Sequence, residues 1–288
     1  MKQTAIKTEN LTYTYSAGLP GAKTAVSNVS IEIEKGEILG IIGHTGSGKS
    51  TLIQQFNGLL KPTSGRVLIG GEDIWQDKSK LKQFRFKVGL VFQYPEYQLF
   101  EETVAKDIAF GPKNMGLTQQ ETDERVRESL RLVGLDESLL EASPFDLSGG
   151  QKRRVAIAGV TAMRPEVLIL DEPAAGLDPA GRSEILSQIK QYHEERSGTV
   201  IIVSHSMEDI AKYASKVLVL NEGEVFAYDA VEEVFKLSDA LETMGLDIPV
   251  ATRIMLELKR RGYDVDTSVY TPEGAADALL KKLSKDTN

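Results

Sequence analysis

Gly43-His44-Thr45-Gly46-Ser47-Gly48-Lys49-Ser50 decides how this chain folds. The stretch fits G-x-x-x-x-G-K-[ST], a phosphate-cradling loop. Gly43, Gly46 and Gly48 let backbone N–H groups curl around an anion where side chains would intrude. His44, Thr45 and Ser47 fill the positions between them, and His44 is given no catalytic role. Lys49 offers a cation to the outer phosphates, and Ser50 a hydroxyl to a divalent ion, with Thr51 next to it. The residues before the loop, Ile38-Leu39-Gly40-Ile41-Ile42, are apolar on both faces, as a covered central strand must be. The helix expected after the loop points its positive N-terminus at the same anion.

Further along the chain, Val167-Leu168-Ile169-Leu170, Val200-Ile201-Ile202-Val203 and Val217-Leu218-Val219-Leu220 repeat the character of a buried strand. Helical patterns separate them, which predicts an α/β fold with a mainly parallel sheet covered on both sides. Ahead of the loop the chain reads as β. In Val29-Ser30-Ile31-Glu32-Ile33-Glu34, apolar and polar residues alternate as in a half-exposed strand, and Lys35-Gly36-Glu37 is a turn. Residues from about 103 to 163 break the βα rhythm. Thr118 and Glu121 form a capping box there, Val126, Leu130 and Val133 share one helical face, and Gly134 is a stop. Beyond Gly223, helices are expected around Val231, Val234 and Phe235, around Ile254 and Leu258, and from Thr271-Pro272-Glu273 onward.

Composition bounds the possibilities. The 288 residues hold no cysteine, so disulfides, thiolate metal sites and cysteine nucleophiles are excluded. A net charge of -8 argues against nucleic acid as the main partner. The basic clusters Lys152-Arg153-Arg154 and Lys259-Arg260-Arg261 read as solvated helix faces. The first seven residues lack the apolar stretch of a signal peptide, and no run approaches the ~18 apolar residues of a membrane helix. Other chains would have to hold the protein at a membrane.

Three further motifs carry chemistry. The strand at 167–170 ends in Asp171-Glu172, and an acid at a strand's C-terminal end sits where open α/β sheets bind ligands. Asp171 suits Mg²⁺, and Glu172 suits polarising an attacking water. Leu147-Ser148-Gly149-Gly150-Gln151 offers a second anion cradle, a serine hydroxyl and glycine amides opening a helix. Gln93 follows Val91-Phe92, and His205 follows Val203-Ser204.

With these motifs in this order, residues 4 to 228 resemble the ATPases of ABC (ATP-binding cassette) transporters. The resemblance implies a P-loop, RecA-like core with an N-terminal antiparallel β subdomain. An ATP-binding domain over 1–227 with a helical subdomain inserted at about 94–165 is expected, followed by a helical extension over 228–288 that dimerises. It also implies a head-to-tail dimer in which one subunit's P-loop and the other's Ser148, Gly149, Gly150 and Gln151 grip each ATP. Gln93 is then a contact to Mg²⁺ and the attacking water, and His205 bonds the γ-phosphate and orients Glu172. Asp178, in Gly176-Leu177-Asp178, touches the opposite subunit. Tyr15 matches the aromatic that stacks on adenine, and nearby Tyr13 is the alternative.

A narrower resemblance follows Gln93. Phe92-Gln93-Tyr94-Pro95-Glu96-Tyr97-Gln98-Leu99-Phe100-Glu101-Glu102-Thr103-Val104 and Asp107-Ile108-Ala109-Phe110-Gly111-Pro112 are similar to the ATPases of energy-coupling factor (ECF) importers. Gly43-His44-Thr45-Gly46 and Gln151-Lys152-Arg153-Arg154-Val155-Ala156-Ile157-Ala158-Gly159 favour the second of their two paired ATPases. Implied partners are a second ATPase, alike or different, a transmembrane coupling protein and a small substrate-binding membrane protein, with this chain on the cytoplasmic face of the cell membrane. The cargo would be a vitamin or a transition-metal ion. Tyr97, Leu99 and Phe100 are expected as walls of the groove that receives the coupling protein, or as core of the subdomain. The competing readings are another ABC transporter class, a soluble ABC ATPase of translation or repair, and a P-loop kinase. The segment after Gln93, the single cassette without a coiled coil, and the motif at 147–151 argue against them in turn.

Overall fold

The computed structural model describes residues 3–286. Two sheets carry the chain. The first is five-stranded and antiparallel, built from β1 (Thr4–Tyr15), β2 (Lys23–Val29), β3 (Glu32–Glu34), β5 (Ser64–Ile69) and β6 (Glu72–Asp73). The second is six-stranded, from β4 (Ile38–Ile42), β7 (Val88–Val91), β8 (Val167–Asp171), β9 (Thr199–Val203), β10 (Lys216–Asn221) and β11 (Glu224–Ala230), in the order β11-β10-β4-β9-β8-β7. All its pairings are parallel except β10 with β11. This is the α/β architecture that the alternating buried strands predict.

The reading of one strand over 29–34 is refined. Asn28 takes a positive φ, and the chain steps from the far half of β1 to its near half. β2 pairs with Leu11–Tyr15 and β3 with Thr4–Lys7. The polar–apolar alternation survives the break: Val29, Ile31 and Ile33 are buried while Ser30 and Glu32 are exposed.

Alternation along each central strand divides the core in two. Ile38 and Ile42 of β4, with Leu168 and Leu170 of β8, face one side. There they meet α3 (Val104–Asn114), α4 (Gln119–Leu132), α5 (Gly149–Thr161), α6 (Pro179–Arg196) and α7 (Met207–Tyr213). Leu39, Ile41, Val167 and Ile169 face the other side, against the antiparallel sheet and α1 (Lys49–Phe56). Phe56, Leu52 and Ile53 of α1 are fully buried there. Each such side chain contributes about 1.5–3 kcal/mol by leaving water, so α1 is anchored along its length. The short α2 (Leu81–Lys87) leads into β7.

The capping box of Thr118 and Glu121 starts α4 as expected, and Val126, Leu130 and Val133 form its buried stripe. Four helices follow β11: α8 (Val231–Phe235), α9 (Ser238–Thr243), α10 (Val250–Arg260) and α11 (Pro272–Asp286). The inward face of α10 differs from the expected one. Ala251, Thr252 and Met255 are buried, whereas Ile254 is 48% exposed. Ala251, Met255 and Ala275 form a small cluster of their own, with Leu258 packed on it.

Candidate functional site

Four candidate motifs lie at the C-terminal ends of four neighbouring parallel strands. β4 runs into the phosphate loop, β9 into Ser204-His205, β8 into Asp171-Glu172, and β7 into Phe92-Gln93. Register keeps three of these ends level, because Ile41 pairs with Val203 and Val203 with Asp171. Ligands of open α/β sheets bind at this edge.

The loop at 43–50 is held from behind. Gly223 donates its N–H to the Ser47 carbonyl at 3.0 Å, and Ser27 donates to the Gly223 carbonyl at 2.8 Å. Gly48 caps α1 at φ 103, and a Cβ there would lie 2.2 Å from the Ala25 carbonyl oxygen. Only glycine fits. Lys49 is buried and donates from Nζ to the carbonyls of Gly43 at 2.6 Å and His44 at 3.0 Å. Burial lowers its pKa, opposed by the charges of Glu172 and Asp171.

Beside it, Ser50 Oγ donates to Asp171 Oδ2 at 3.1 Å. Burial raises the Asp171 pKa, against the Ser50 hydrogen bond and the Lys49 charge. Glu172 takes a positive φ of 53°. Such backbone is held by its surroundings: the Glu172 N–H donates to the Val203 carbonyl at 3.0 Å, and its own carbonyl accepts from Ala175 at 3.1 Å. Burial first, and the Asp171 charge second, push its carboxyl up to about 7. Its Oε1 is buried without a hydrogen-bond partner and lies 3.5 Å from His205 Nε2. Partial burial and the Lys49 charge lower the His205 pKa. An unpartnered buried carboxylate oxygen beside an imidazole and a cation is a group poised to accept from a water.

Tyr15 is 43% exposed and, with Lys23, Gly46, Lys49 and Thr51, lines a cavity of about 210 Å³ over the loop. Its hydroxyl shares a hydrogen bond with that of Thr51 at 3.1 Å. Tyr13 packs edge-on against it, ring centroids 4.8 Å apart, and leans on the buried core instead. Gln93 is exposed just past β7.

The second cradle stands apart. Ser148 caps α5, exchanging hydrogen bonds with Gln151, and none of the cavity-lining residues over the loop comes from 148–151. A Cβ on Gly149 or Gly150 would meet nothing within 4 Å. Asp178 caps α6 by accepting from the Gly181 N–H at 2.7 Å and is otherwise exposed.

A separate cavity of about 470 Å³ is lined by Gln98, from the segment past Gln93, and by Gly111, Ala156 and Gly159. Phe100 lines it at the surface. Leu99 also borders it but is buried in the core cluster, the second of the two expectations. Tyr97 does not line it, being 85% exposed. The basic run at 152–154 is corrected. Arg153 is 3% exposed and donates to both carboxylate oxygens of Glu96, at 3.2 and 3.0 Å, while Arg154 pairs with Glu184. The signal was present in the spacing, since 153, 157 and 161 fall on one buried helical face.

A family model described as ABC transporter matches residues 26–175. An energy-coupling factor transporter ATP-binding protein EcfA2 of Clostridium tetani is 55% identical over 278 residues, 96% of each chain. One of the same name from Clostridium perfringens is 54% identical, covering 96% of this chain and 98% of that one. The solved structure of cbiO1 from Clostridium perfringens, part of the ABC transporter complex cbiONQ, superposes with a TM-score of 0.75. It is 39% identical and covers 91% of this chain and 98% of that one. The dimeric ATP-binding cassette MJ0796 bound to ADP and Pi reaches 0.71 at 31% identity, over 78% of this chain and 98% of that one.

Proposed function

The chain belongs to the ABC transporter family and, within it, to the ATP-binding proteins of energy-coupling factor transporters; from that premise we propose that it powers uptake of a vitamin or a transition-metal ion through a membrane coupling protein. It is an ATP hydrolase coupled to transport. The observation that carries the site assignment is the unpartnered Glu172 carboxylate, 3.5 Å from His205 and beside Lys49 and Asp171.

In this reading the loop amides and Lys49 bind the phosphates, and Tyr15 stacks on the adenine. Lys49 exchanges its two carbonyl partners for phosphate oxygens. Ser50 and Asp171 would hold Mg²⁺, and Gln93 would complete the set. The donors fit a hard cation: a hydroxyl and a buried carboxylate already 3.1 Å apart. Among the described residues no group of three or more His, Asp or Glu could hold a metal, so the phosphates would supply the remaining ligands. When bound, Mg²⁺ neutralises charge developing on the phosphates. Glu172 orients and deprotonates the water, and His205 holds Glu172 and the γ-phosphate in line.

The open cradle of Ser148, Gly149 and Gly150, with Gln151 and Asp178, closes over the ATP of a second ATPase, alike or different. ATP thereby favours the closed pair, and hydrolysis releases it. The reading divides the chain into an ATP-binding domain over 1–227, with its helical subdomain at about 94–165, and a dimerising extension over 228–288. Exposed Val250, Ile254 and Leu280 on the extension support that role. The cavity lined by Leu99 and Phe100, mostly apolar with exposed Lys82 and Arg85 beside it, suits a helix of the coupling protein. No helix among the described residues is long and apolar enough to cross a membrane. The family supports a place at the cytoplasmic face, held there by partner chains.

The test is recovery of the tagged chain from native membranes in mild detergent. A second ATPase, one coupling membrane protein and small substrate-binding membrane proteins should co-purify. A pair of six-helix permeases, or soluble partners only, would leave the ATPase assignment standing and overturn the reading that one coupling protein is the membrane partner.

A further inference from the structure

Arg153 lies one turn inside α5, on the face turned to the core. Its guanidinium is committed on every edge. Nε and Nη2 fork onto the two carboxylate oxygens of Glu96, and Nη1 donates to the carbonyl of Ala175 and, at 3.4 Å, to that of Pro173. Glu96 sits in the turn at 95–98, three residues past Gln93 and directly before Leu99 and Phe100 of the groove. The Phe100 and Glu101 N–H groups are pinned in turn to Asp107 at 3.0 Å each. Pro173 and Ala175 belong to the turn that Glu172 opens with its positive φ. One buried cation thus spans the groove wall, the signature helix and the turn of the base.

We propose that Arg153 is a positioning residue for hydrolysis: it locks the Glu172 turn to the Glu96 segment, so that the groove and the base move as one unit. This rests on the reading of Glu172 as the base. A buried guanidinium with a bidentate partner has one low-energy placement, and its remaining edge fixes whatever it touches. Glu96 forks onto Arg153, which bonds the carbonyls behind Glu172, so E96Q tests the bridge without altering the loop at 43–50 or the base itself. Lysine keeps the charge but cannot fork onto Glu96 and reach two carbonyls at once.

The experiment measures steady-state kcat, KM for ATP and Tm on the full-length protein for R153M, R153K, E96Q and R153M/E96Q, with E172Q alongside. R153M should lose at least about tenfold in kcat with KM within about twofold, the pattern of a base displaced by a fraction of an ångström. R153K should not recover it, E96Q should show a smaller loss, and the double variant should be no worse than R153M, because both changes cut one bridge. Wild-type kcat in R153M or R153K, or losses that multiply in the double variant, would overturn the proposal. Should R153M fail to fold, E96Q decides alone, since it keeps the shape of the site: wild-type kcat there overturns the bridge. Rapid turnover by E172Q would instead break the reading of Glu172 and leave the Arg153 result to be judged separately.

Discussion

The two anion cradles of this chain are built on opposite plans. At the strand ends, charge is withdrawn from water and aimed: Lys49 and Asp171 are each 6% exposed, and Glu172 keeps a buried oxygen without a partner. At the signature, Ser148 and Gly149 stand in solvent, neutral, and satisfied by a local capping box. Buried charges need a compensating ion, whereas hydrogen-bond donors at a helix start rest in water at little cost. In the proposed function the first cradle holds nucleotide within one chain, and the second meets a nucleotide held by a partner; the contrast in burial supports that division.

The sharpest way to break that contrast is to neutralise the buried base. E172Q should lower kcat about 10³-fold, within the range for removing general-base catalysis, while ATP binding survives. The variant should accumulate as an ATP-bound dimer on size exclusion. Turnover near wild type would move the base elsewhere.

Next in size is a charge placed in the open cradle. G149D adds a Cβ that meets nothing within 4 Å, so the subunit itself should fold and bind ATP normally. A carboxylate facing the partner's phosphates should weaken ATP-driven dimerisation about 100-fold, the size of a like-charge clash of a few kcal/mol. Sedimentation with and without ATP reads this directly. An unaffected dimer would show that the cradle lies outside the interface.

Tyr15 and Tyr13 sharpen the comparison within the first cradle. Y15A should raise KM for ATP about tenfold, as loss of a stacked base does. Y13A should instead lower Tm and leave KM within about twofold, because its ring supports the core.

The smallest effect reports the burial itself. The Glu172 carboxyl, raised to about 7 from 4.5, holds its proton more tightly folded than unfolded. Its contribution to stability is therefore fully present below about pH 4.5 and is lost as pH rises through about 7. Without nucleotide, E172Q should gain about 2–4 °C in Tm over wild type between about pH 5 and about pH 8, with the gap level above that. A gap that is constant with pH would mean the carboxylate is solvated.

Most of the frame was legible because it rests on local or periodic signals. The strands at 38–42, 167–171, 199–203 and 216–221 are apolar on both faces and need no knowledge of their neighbours. The capping box at Thr118 is read within four residues, whereas the one at Ser148 emerged only with the structure. What escaped depends on pairing at a distance. Arg153 carries the same charge as its half-buried neighbour Lys152, and Glu96, 57 positions away, together with the carbonyls of Pro173 and Ala175, makes its burial tolerable. Ile254 points outward because Ala251 and Met255, smaller or more pliable, meet α11 instead. The strand at 29–34 divides because β1 is long enough to pair with both halves in turn.

By itself, then, the sequence determined the phosphate loop, the positions of the buried strands along the chain, the motif at 147–151 and the family they belong to, since each is a matter of residue type at fixed spacing. Tertiary structure alone decided the level register of Ile41, Val203 and Asp171, the lone oxygen of Glu172 beside His205, and the clamp of Arg153 on the turn behind it. These depend on strand order and on the desolvation of particular charges, and both arise only when segments far apart in the chain are brought into contact.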